Sequence, residues 1–197
     1  GVDVDLAFKN TEKINALYKK FREDGKIKNP REDVLKFKYV ADGVLHLNST
    51  RIVKRSPFDL YDLSFAEREA RRQMFELYTF LKENCEGFEN STLLSSAPEI
   101  GVRESRMIDG VYTLTVTDLK DCVHFEDGIA ACNYDIDIHN PEGTGTSHYY
   151  FKEGTYYTIP YRSLMPKNIK NLLAAGRCIS GSHEAQASFR IMPTCCS

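Results

Sequence analysis

The sequence lacks any apolar run long enough to cross a membrane, and it carries little net charge. No stretch of about 18 consecutive apolar residues occurs, so we predict no membrane-spanning helix. The formal net charge is -2, which leaves no electrostatic case for binding nucleic acid or an anionic membrane surface. We therefore expect neither nucleic acid nor a membrane among the partners.

Cysteine motifs are also missing, although the chain has six cysteines. No two of them form a C-x-x-C pair, so the spacing supports neither a zinc site nor a thioredoxin-type redox motif. Cys195 and Cys196 are adjacent, and we expect two free thiols there because a disulfide between neighbours is strained. Free thiols favour a reducing compartment such as the cytoplasm, and no targeting signal in this sequence decides the location.

The composition that remains is ordinary for a globular protein, with 42% hydrophobic and 27% charged residues. A chain of 197 residues can bury one substantial core, which suits one domain or one domain with a piece of another. The chain begins at Gly1 without Met and ends at Ser197 just after an apolar stretch. We expect both ends to be cuts in a longer protein.

Two helices are predicted, at Thr11 to Glu23 and at Ser64 to Asn84, where apolar residues recur every three or four positions. Thr11 can cap the first helix, and Ser64 with Glu67 forms a capping box for the second. The second helix is expected to bury a stripe made of Phe65, Met74, Leu77, Tyr78 and Leu81.

Strands are predicted elsewhere. Asp42-Gly43 favours a hairpin between Val34 to Val40 and Val44 to Leu47, and Glu153-Gly154 favours another. Further candidate strands are Thr92 to Leu94, Ile100 to Ser105, Val111 to Val116, Tyr134 to Ile138, Ser147 to Phe151, Thr155 to Ile159 and Leu172 to Ala175. Asp118 to Phe125 can carry a short helical turn, and residues 140–145 read as a loop. The pattern predicts an α+β fold with an antiparallel or mixed sheet and packed helices.

The densest functional signal follows the apolar stretch that ends at Gly176, where small and polar residues take over. The end of a strand is a common ligand position in α/β sheets, because a backbone without a side chain can approach a ligand closely. An ordinary solvent loop is the competing interpretation, and the residues alone leave both open.

The same region belongs to a set of separated blocks that occur in a fixed order: His46 to Arg51, Ala97 to Arg106, Tyr157 to Leu164, Leu173 to Ser180, His183-Glu184-Ala185 and Arg190 to Cys195. Together these blocks resemble a bacterial family of FAD-dependent oxidoreductases among the glutathione-reductase-like flavoproteins, often labelled xanthan-lyase-associated. In that family the last blocks form the closing FAD signature, and they imply a C-terminal strand that belongs to the FAD-binding domain.

The resemblance also implies roles for individual residues. The flavin-side candidates are Gly176, Arg177, Cys178, His183, Glu184, Ser188, Arg190 and Thr194. Arg190 and Thr194 are expected to lead into a helix whose N-terminus faces the flavin. The catalytic candidates on the substrate side are His46, Arg103, Tyr161 and Arg162.

Each substrate-side candidate has a structural alternative. Arg103 can orient a carboxylate or form a surface ion pair, with Glu104 and Arg106 beside it on the predicted strand. His46 can act as an acid or base or can be a structural histidine. Within the Tyr157 to Leu164 block, Tyr157 and Ile159 can be core residues and not site residues.

A metal site is not predicted. Asp135, Asp137 and His139 alternate on one strand, but no fourth ligand is in register.

One departure from the family determines whether we expect this chain to bind FAD by itself. The sequence has no Gly-x-Gly-x-x-Gly turn to hold the FAD pyrophosphate, and its nearest approach is Gly143-Thr144-Gly145. We therefore expect residues 1–170 to be a substrate-side domain and residues 171–197 a truncated return segment of the FAD-binding domain. FAD is expected in the longer parent protein but not in this fragment, which is expected to be inactive alone.

The resemblance implies that the parent passes a hydride from a small organic substrate to FAD. Arg103, Arg106 and Arg162 suit an anionic or polyhydroxylated substrate. Apolar surface exposed by truncation favours self-association. The competing interpretation is a non-catalytic module that binds carbohydrate or protein through exposed tyrosines on its strands.

Overall fold

The computed structural model describes residues 1–139 and 146–197, and these fall into two compact units. The first unit is Gly1–Gly101, and the second comprises residues 102–139 and 146–197. The predicted loop at 140–145, with its Gly143-Thr144-Gly145 sequence, lies outside the described residues. The expected roles of residues 1–170 and 171–197 stay predictions. No helix in the described part of the chain is long and apolar enough to cross a membrane.

The first unit contains three helices and a hairpin among its described residues: α1 Val4–Lys9, α2 Thr11–Glu23, β1 Lys36–Lys38, β2 Leu45–Leu47 and α3 Leu60–Asn84. Helix α2 has the predicted bounds. The hairpin is confirmed with shorter strands, and Gly43 makes its turn at φ +70°. Its core includes Ile14 and Tyr18 from α2 and Phe80 from α3, and the rings of Tyr18 and Phe80 meet edge to face at 5.4 Å.

The predicted caps of the first unit are wrong. Thr11 lies inside α2, and its hydroxyl donates to the Phe8 carbonyl at 2.6 Å because α1 runs almost directly into α2. Helix α3 begins at Leu60, before Ser64, because the Asp59 carboxylate accepts the backbone N–H groups of Tyr61 and Asp62. Asp59, which precedes Ser64 in the chain, therefore sets the start of the helix.

The buried face of α3 differs in part from the predicted stripe. Its buried residues are Ala66, Gln73, Leu77, Phe80 and Leu81, whereas Phe65 is exposed and Met74 and Tyr78 are partly exposed. Gln73 is buried because its amide exchanges hydrogen bonds of 2.9 and 3.1 Å with the backbone of Arg51. Apolar periodicity cannot reveal a glutamine that is buried through backbone pairing.

The second unit has four strands and three helices in its described part, together with short 3-10 turns. They are α4 Val116–Lys120, β3 Gly128–Cys132, β4 Ile136–His139, β5 Thr146–Tyr149, β6 Tyr157–Pro160, α5 His183–Phe189 and α6 Met192–Cys196, with 3-10 turns at Tyr161–Leu164 and Gly176–Cys178. Strand β3 pairs with β6 and β4 pairs with β5, both antiparallel. Helices and small antiparallel sheets make the fold α+β, as predicted.

Several strand predictions in the second unit are wrong. The hairpin at Glu153-Gly154 does not form, because β5 and β6 each pair with another strand. Strand β3 escaped prediction, since glycine and alanine have low strand propensity. Within the described residues no ladder forms at Thr92 to Leu94, Ile100 to Ser105, Val111 to Val116 or Leu172 to Ala175, so the C-terminal strand is absent there. These stretches make scattered backbone hydrogen bonds, such as Ala174 N–H to the Leu164 carbonyl at 2.9 Å, and Leu114 forms an isolated bridge with Gly181.

The core of the second unit is built from α4, β6 and α5. Leu114, Leu119 and Tyr157 of β6 are fully buried, and Phe189 of α5 is 1% exposed. Ile159 joins the same cluster. Core packing is therefore the correct interpretation for Tyr157 and Ile159, and strand β6 delivers Tyr161 and Arg162 to its surface end.

Candidate functional site

Asp137 on β4 gathers three side chains from distant parts of the second unit. Its Oδ2 atom lies 3.4 Å from Nη1 of Arg103 and 3.5 Å from Nη2 of Arg190. Its Oδ1 atom lies 3.6 Å from Nε2 of His148, the residue directly opposite on β5. The Asp137 side chain is only 12% exposed. One nearly buried carboxylate therefore organises two guanidinium groups and an imidazole.

Arg190 is the buried member of this group. It follows α5 as its C-cap, where a positive charge complements the helix dipole, and its side chain is 13% exposed. Within the described residues its Nη2 atom makes no hydrogen bond, although it lies 3.5 Å from Oδ2 of Asp137. Burial and the positive charge of Arg103 lower the pKa of Arg190, with a further contribution from Arg177, while Asp137 opposes them.

Arg177 connects the 3-10 turn at Gly176–Cys178 to the chain before Arg103. Its guanidinium donates to the Val102 carbonyl, and its own carbonyl accepts the side-chain amide of Gln186 at 3.2 Å. Gln186 is buried in α5. This arrangement holds residues 102–104 beside the turn and beside α5, although no sheet ladder fixes them in the described structure.

Gly176 opens the same turn with φ +82°, a conformation that favours glycine. A Cβ atom added there would meet nothing within 4 Å in the described structure. The predicted strand end is thus a 3-10 turn, but its backbone is open on one side. A ligand can approach this glycine without displacing a side chain.

His183 and Glu104 form a close pair near this segment. The Nδ1 atom of His183, the first residue of α5, lies 2.6 Å from Oε1 of Glu104. Both side chains are about 40% exposed. His183 and Glu184 begin helix α5, where the Ser182 hydroxyl accepts the Ala185 N–H at 3.2 Å. Glu184 lies exposed in this first helical turn, and hydrogen bonds from its own backbone N–H and the Ser182 hydroxyl lower its pKa.

Three other flavin-side candidates use their side chains within the protein. The buried hydroxyl of Ser188 pairs with the Tyr157 hydroxyl at 2.9 Å and with the Tyr134 carbonyl. Thr194 lies inside α6 and donates to Cys132 Sγ at 3.2 Å, while Cys178 Sγ contacts the Ala175 carbonyl at 3.3 Å. Arg190 is the C-cap of α5 and Thr194 lies inside α6, and the expected flavin-facing role of both residues stays a prediction.

Arg162 and Tyr161 lie in the 3-10 turn after β6. The Nε atom of Arg162 lies 3.0 Å from Oδ2 of Asp127, and its guanidinium stands 5.0 Å from the centre of the Tyr112 ring. Tyr161 donates its backbone N–H to the Asp127 carbonyl at 2.8 Å and keeps a partly exposed ring. Arg162 is therefore held by a local ion pair, away from the ion pairs of Asp137.

His46 belongs to the first unit, whereas the other candidates belong to the second. It lies in the middle of β2 opposite Phe37, and its side chain is exposed. The two rings are 6.0 Å apart and tilted.

The structure therefore brings together Arg103, Arg177, His183 and Arg190, which the sequence had singled out. It adds Glu104 and Asp137 to them. Asp137 had been weighed as a metal ligand, but in the described residues no three His, Cys, Asp or Glu side chains are grouped to hold a metal ion. Asp137 has no lysine or arginine near it in the sequence, so no local signal indicated its pairing role.

Comparison with known proteins places the chain in a family. No curated protein and no solved structure gives a significant match to the chain. A family profile described as FAD dependent oxidoreductase matches residues 3–197. Because the match covers almost the whole chain and includes every residue of the candidate site, the chain belongs to the family of FAD dependent oxidoreductases.

Proposed function

We propose that this chain is the substrate-side part of a flavoenzyme that oxidises a small organic substrate. The observation that supports the proposal is the family match over residues 3–197. When bound, FAD supplies the hydride-accepting chemistry. The finer assignment to glutathione-reductase-like flavoproteins of the xanthan-lyase-associated type rests on the sequence blocks quoted above.

The residues around Gly176 fit one edge of FAD. The cofactor carries a diphosphate and a ring that becomes negatively charged on reduction, and both suit guanidinium donors. Arg177 supplies such a donor beside Gly176, where the backbone is open. The sequence holds no Gly-x-Gly-x-x-Gly turn for the diphosphate. We infer that this chain alone binds FAD weakly and is inactive without the rest of the cofactor site.

The chain's own side chains have distinct roles in this proposal. Gly176 and Arg177 contact the cofactor, and Arg103 orients the substrate. His183 holds or moves a proton at Nε2, because Glu104 occupies Nδ1. Ser188 and Thr194 act as positioning residues, since their hydroxyls are bound inside the second unit.

The proposal is tested by comparing this chain with a longer natural protein that contains it. Each is purified, denatured and assayed for released flavin by absorbance. We expect about one flavin per chain in the longer protein and none in the isolated chain.

Stoichiometric flavin in the isolated chain would contradict the inference of weak binding. A longer protein without flavin, and unable to take up added FAD, would contradict the proposed function. The non-catalytic binding module would then be favoured, with the exposed Tyr149, Tyr150 and Tyr156 as its contact residues.

A further inference from the structure

Two elements of the second unit that pack against each other both carry cysteines. Cys178 ends the 3-10 turn at Gly176–Cys178, while Cys195 and Cys196 end α6. Helix α6 packs against the turn, and Cα atoms of the two elements come within 8 Å of each other. All six cysteines of the chain lie in the described part, and all are free thiols there. The fold therefore brings together thiols from the two sides of α5.

Cys195 is the α6 thiol that lies close to the turn. Burial raises the pKa of the Cys195 thiol. Arg177 lowers this pKa, and Cys196 and Cys178 raise it further. Arg177 and Cys178 both belong to the turn. Because charge interactions weaken with distance, their influence agrees with the backbone contact between α6 and the turn.

The orientation of α6 also favours Cys195. The Thr194 hydroxyl donates to Cys132 Sγ on β3 at 3.2 Å, so Thr194 faces that strand. Successive residues of a helix point about 100° apart, which turns Cys195 away from Cys132. Cys195 and Cys178 are both partly buried, whereas Cys196 is exposed.

Neither thiol is held firmly by its present contact. Cys178 Sγ lies 3.3 Å from the Ala175 carbonyl, and Cys195 Sγ lies 3.7 Å from the Phe189 carbonyl. A thiol is a weak hydrogen-bond donor, so both side chains can rotate at little cost.

We propose that Cys178 and Cys195 form a reversible disulfide that ties α6 to the turn at Gly176–Cys178. The oxidant is a low-molecular-weight disulfide such as glutathione disulfide. One protein thiolate attacks a sulfur of the oxidant and releases one glutathione, and the second protein thiol then displaces the other glutathione from the mixed disulfide. The two protein thiols lose two electrons and two protons, and the oxidant becomes two glutathione thiols.

The bridge fits the backbone and restrains the turn. A disulfide needs Cα atoms about 4.4–6.8 Å apart, and the contact between α6 and the turn brings the two elements near this range. Helix α6 has only five residues, and a helix this short is held mainly by its packing, so it can move the remaining distance. The bridge then restrains the turn that presents the open backbone of Gly176. Since no flavin takes part, the proposal does not depend on the proposed function.

The bridge is tested on the full 197-residue chain. The chain is incubated with glutathione disulfide, its remaining thiols are alkylated, and the monomer from a non-reducing gel is digested with trypsin. Cleavage after Arg177 and Arg190 separates Cys178, in peptide 178–190, from the two cysteines of α6, in peptide 191–197. We expect these two peptides to be joined, and we expect a thiol reductant to separate them.

Variants identify the two partners. Cys195→Ser should lose the link and keep glutathione on Cys178, because the second thiol that displaces it is missing. Cys196→Ser should keep the link. The matched control is Cys122→Ser, since Cys122 is partly buried like Cys178 but lies outside α6 and the turn. We expect this control to form the link as the unchanged chain does.

Four results would overturn the proposal. One is an oxidised chain in which peptides 178–190 and 191–197 stay separate. Another is a link that survives in Cys195→Ser, which would assign the bridge to Cys196. The third is a loss of two hydrogens confined to peptide 191–197, which would show a disulfide between the adjacent cysteines. The fourth is a link found only in a covalent dimer.

Discussion

The Nδ1 atom of His183 lies 2.6 Å from a carboxylate oxygen of Glu104, 79 positions earlier in the chain. A carboxylate can only accept a hydrogen bond, so this contact requires a proton on Nδ1. When the ring is neutral, Nε2 is then the basic nitrogen. Glu104 thereby determines which ring nitrogen of the neutral imidazole can accept a proton.

Replacing Glu104 by Gln is expected to weaken this preference, because a side-chain amide no longer favours the Nδ1–H form so strongly. The ¹⁵N chemical shifts of the His183 ring report the two neutral tautomers directly. We expect Nε2 protonation to increase in Glu104→Gln. The control is Glu126→Gln, an exposed carboxylate of the same unit. Equal ring shifts in all three proteins would show that Glu104 does not set the tautomer.

Replacing Asp137 by Asn is expected to destabilise the chain by about 3 kcal/mol, because Arg190 would keep a nearly buried charge without its carboxylate. Urea unfolding measures the loss.

The comparison for that experiment is Asp109→Asn. Asp109 pairs with Lys167 at 2.6 Å on the surface, where such pairs contribute at most about 1 kcal/mol. If the two variants lose equal stability, Asp137 does not compensate a buried charge.

Tyr18 should make the stability of the chain depend on alkaline pH. Burial raises the pKa of Tyr18 from 10.0 to about 12. The unfolded chain then releases the phenolic proton before the folded chain does. Its contribution to stability is complete below pH 10 and is lost as the pH rises towards 12.

Tyr18→Phe should remove this part of the pH dependence. It should cost little at neutral pH, because within the described residues the Tyr18 hydroxyl makes no hydrogen bond. Unfolding by urea at several pH values compares the two proteins. Identical slopes between pH 10 and pH 12 would mean that Tyr18 titrates normally.

Cys85 should react slowly with an alkylating reagent, and Cys196 should react fast. Burial raises the pKa of the Cys85 thiol to about 11, and only the thiolate reacts readily. Cys196 is exposed at the end of α6. Timed alkylation near neutral pH, followed by peptide mass spectrometry, should label Cys196 well before Cys85. Early labelling of Cys85 would show that the first unit opens easily.

Local signals predicted much of the first unit. Helix α2 and the hairpin at Gly43 follow from periodicity and from one Asp-Gly turn, both of which are encoded within a few residues. The start of α3 was missed, since both Asp59 and Ser64 are competent caps and only the fold decides which one is used.

The candidate site was predictable only in its parts. Arg177, His183 and Arg190 were singled out by resemblance, but their partners Val102, Glu104 and Asp137 are remote in sequence. Strand β3 was not predicted, and the strand predicted at Leu172 to Ala175 does not form in the described structure. Both errors have the same cause, because a ladder depends on a partner strand that local propensity does not specify. The flavin-side roles stay predictions.

With the roles proposed above for Arg177 and Arg103, the bond from Arg177 to the Val102 carbonyl connects cofactor binding to substrate binding. Residues 102–104 have no ladder to hold them in the described structure, so part of their order depends on that guanidinium. A ligand that draws Arg177 away also loosens the residue next to Arg103, and a ligand that immobilises Arg103 steadies the acceptor of Arg177. By thermodynamic reciprocity, each ligand then changes the affinity for the other by the same factor. This hydrogen bond, together with the pair between Glu104 and His183, therefore connects the two proposed sites.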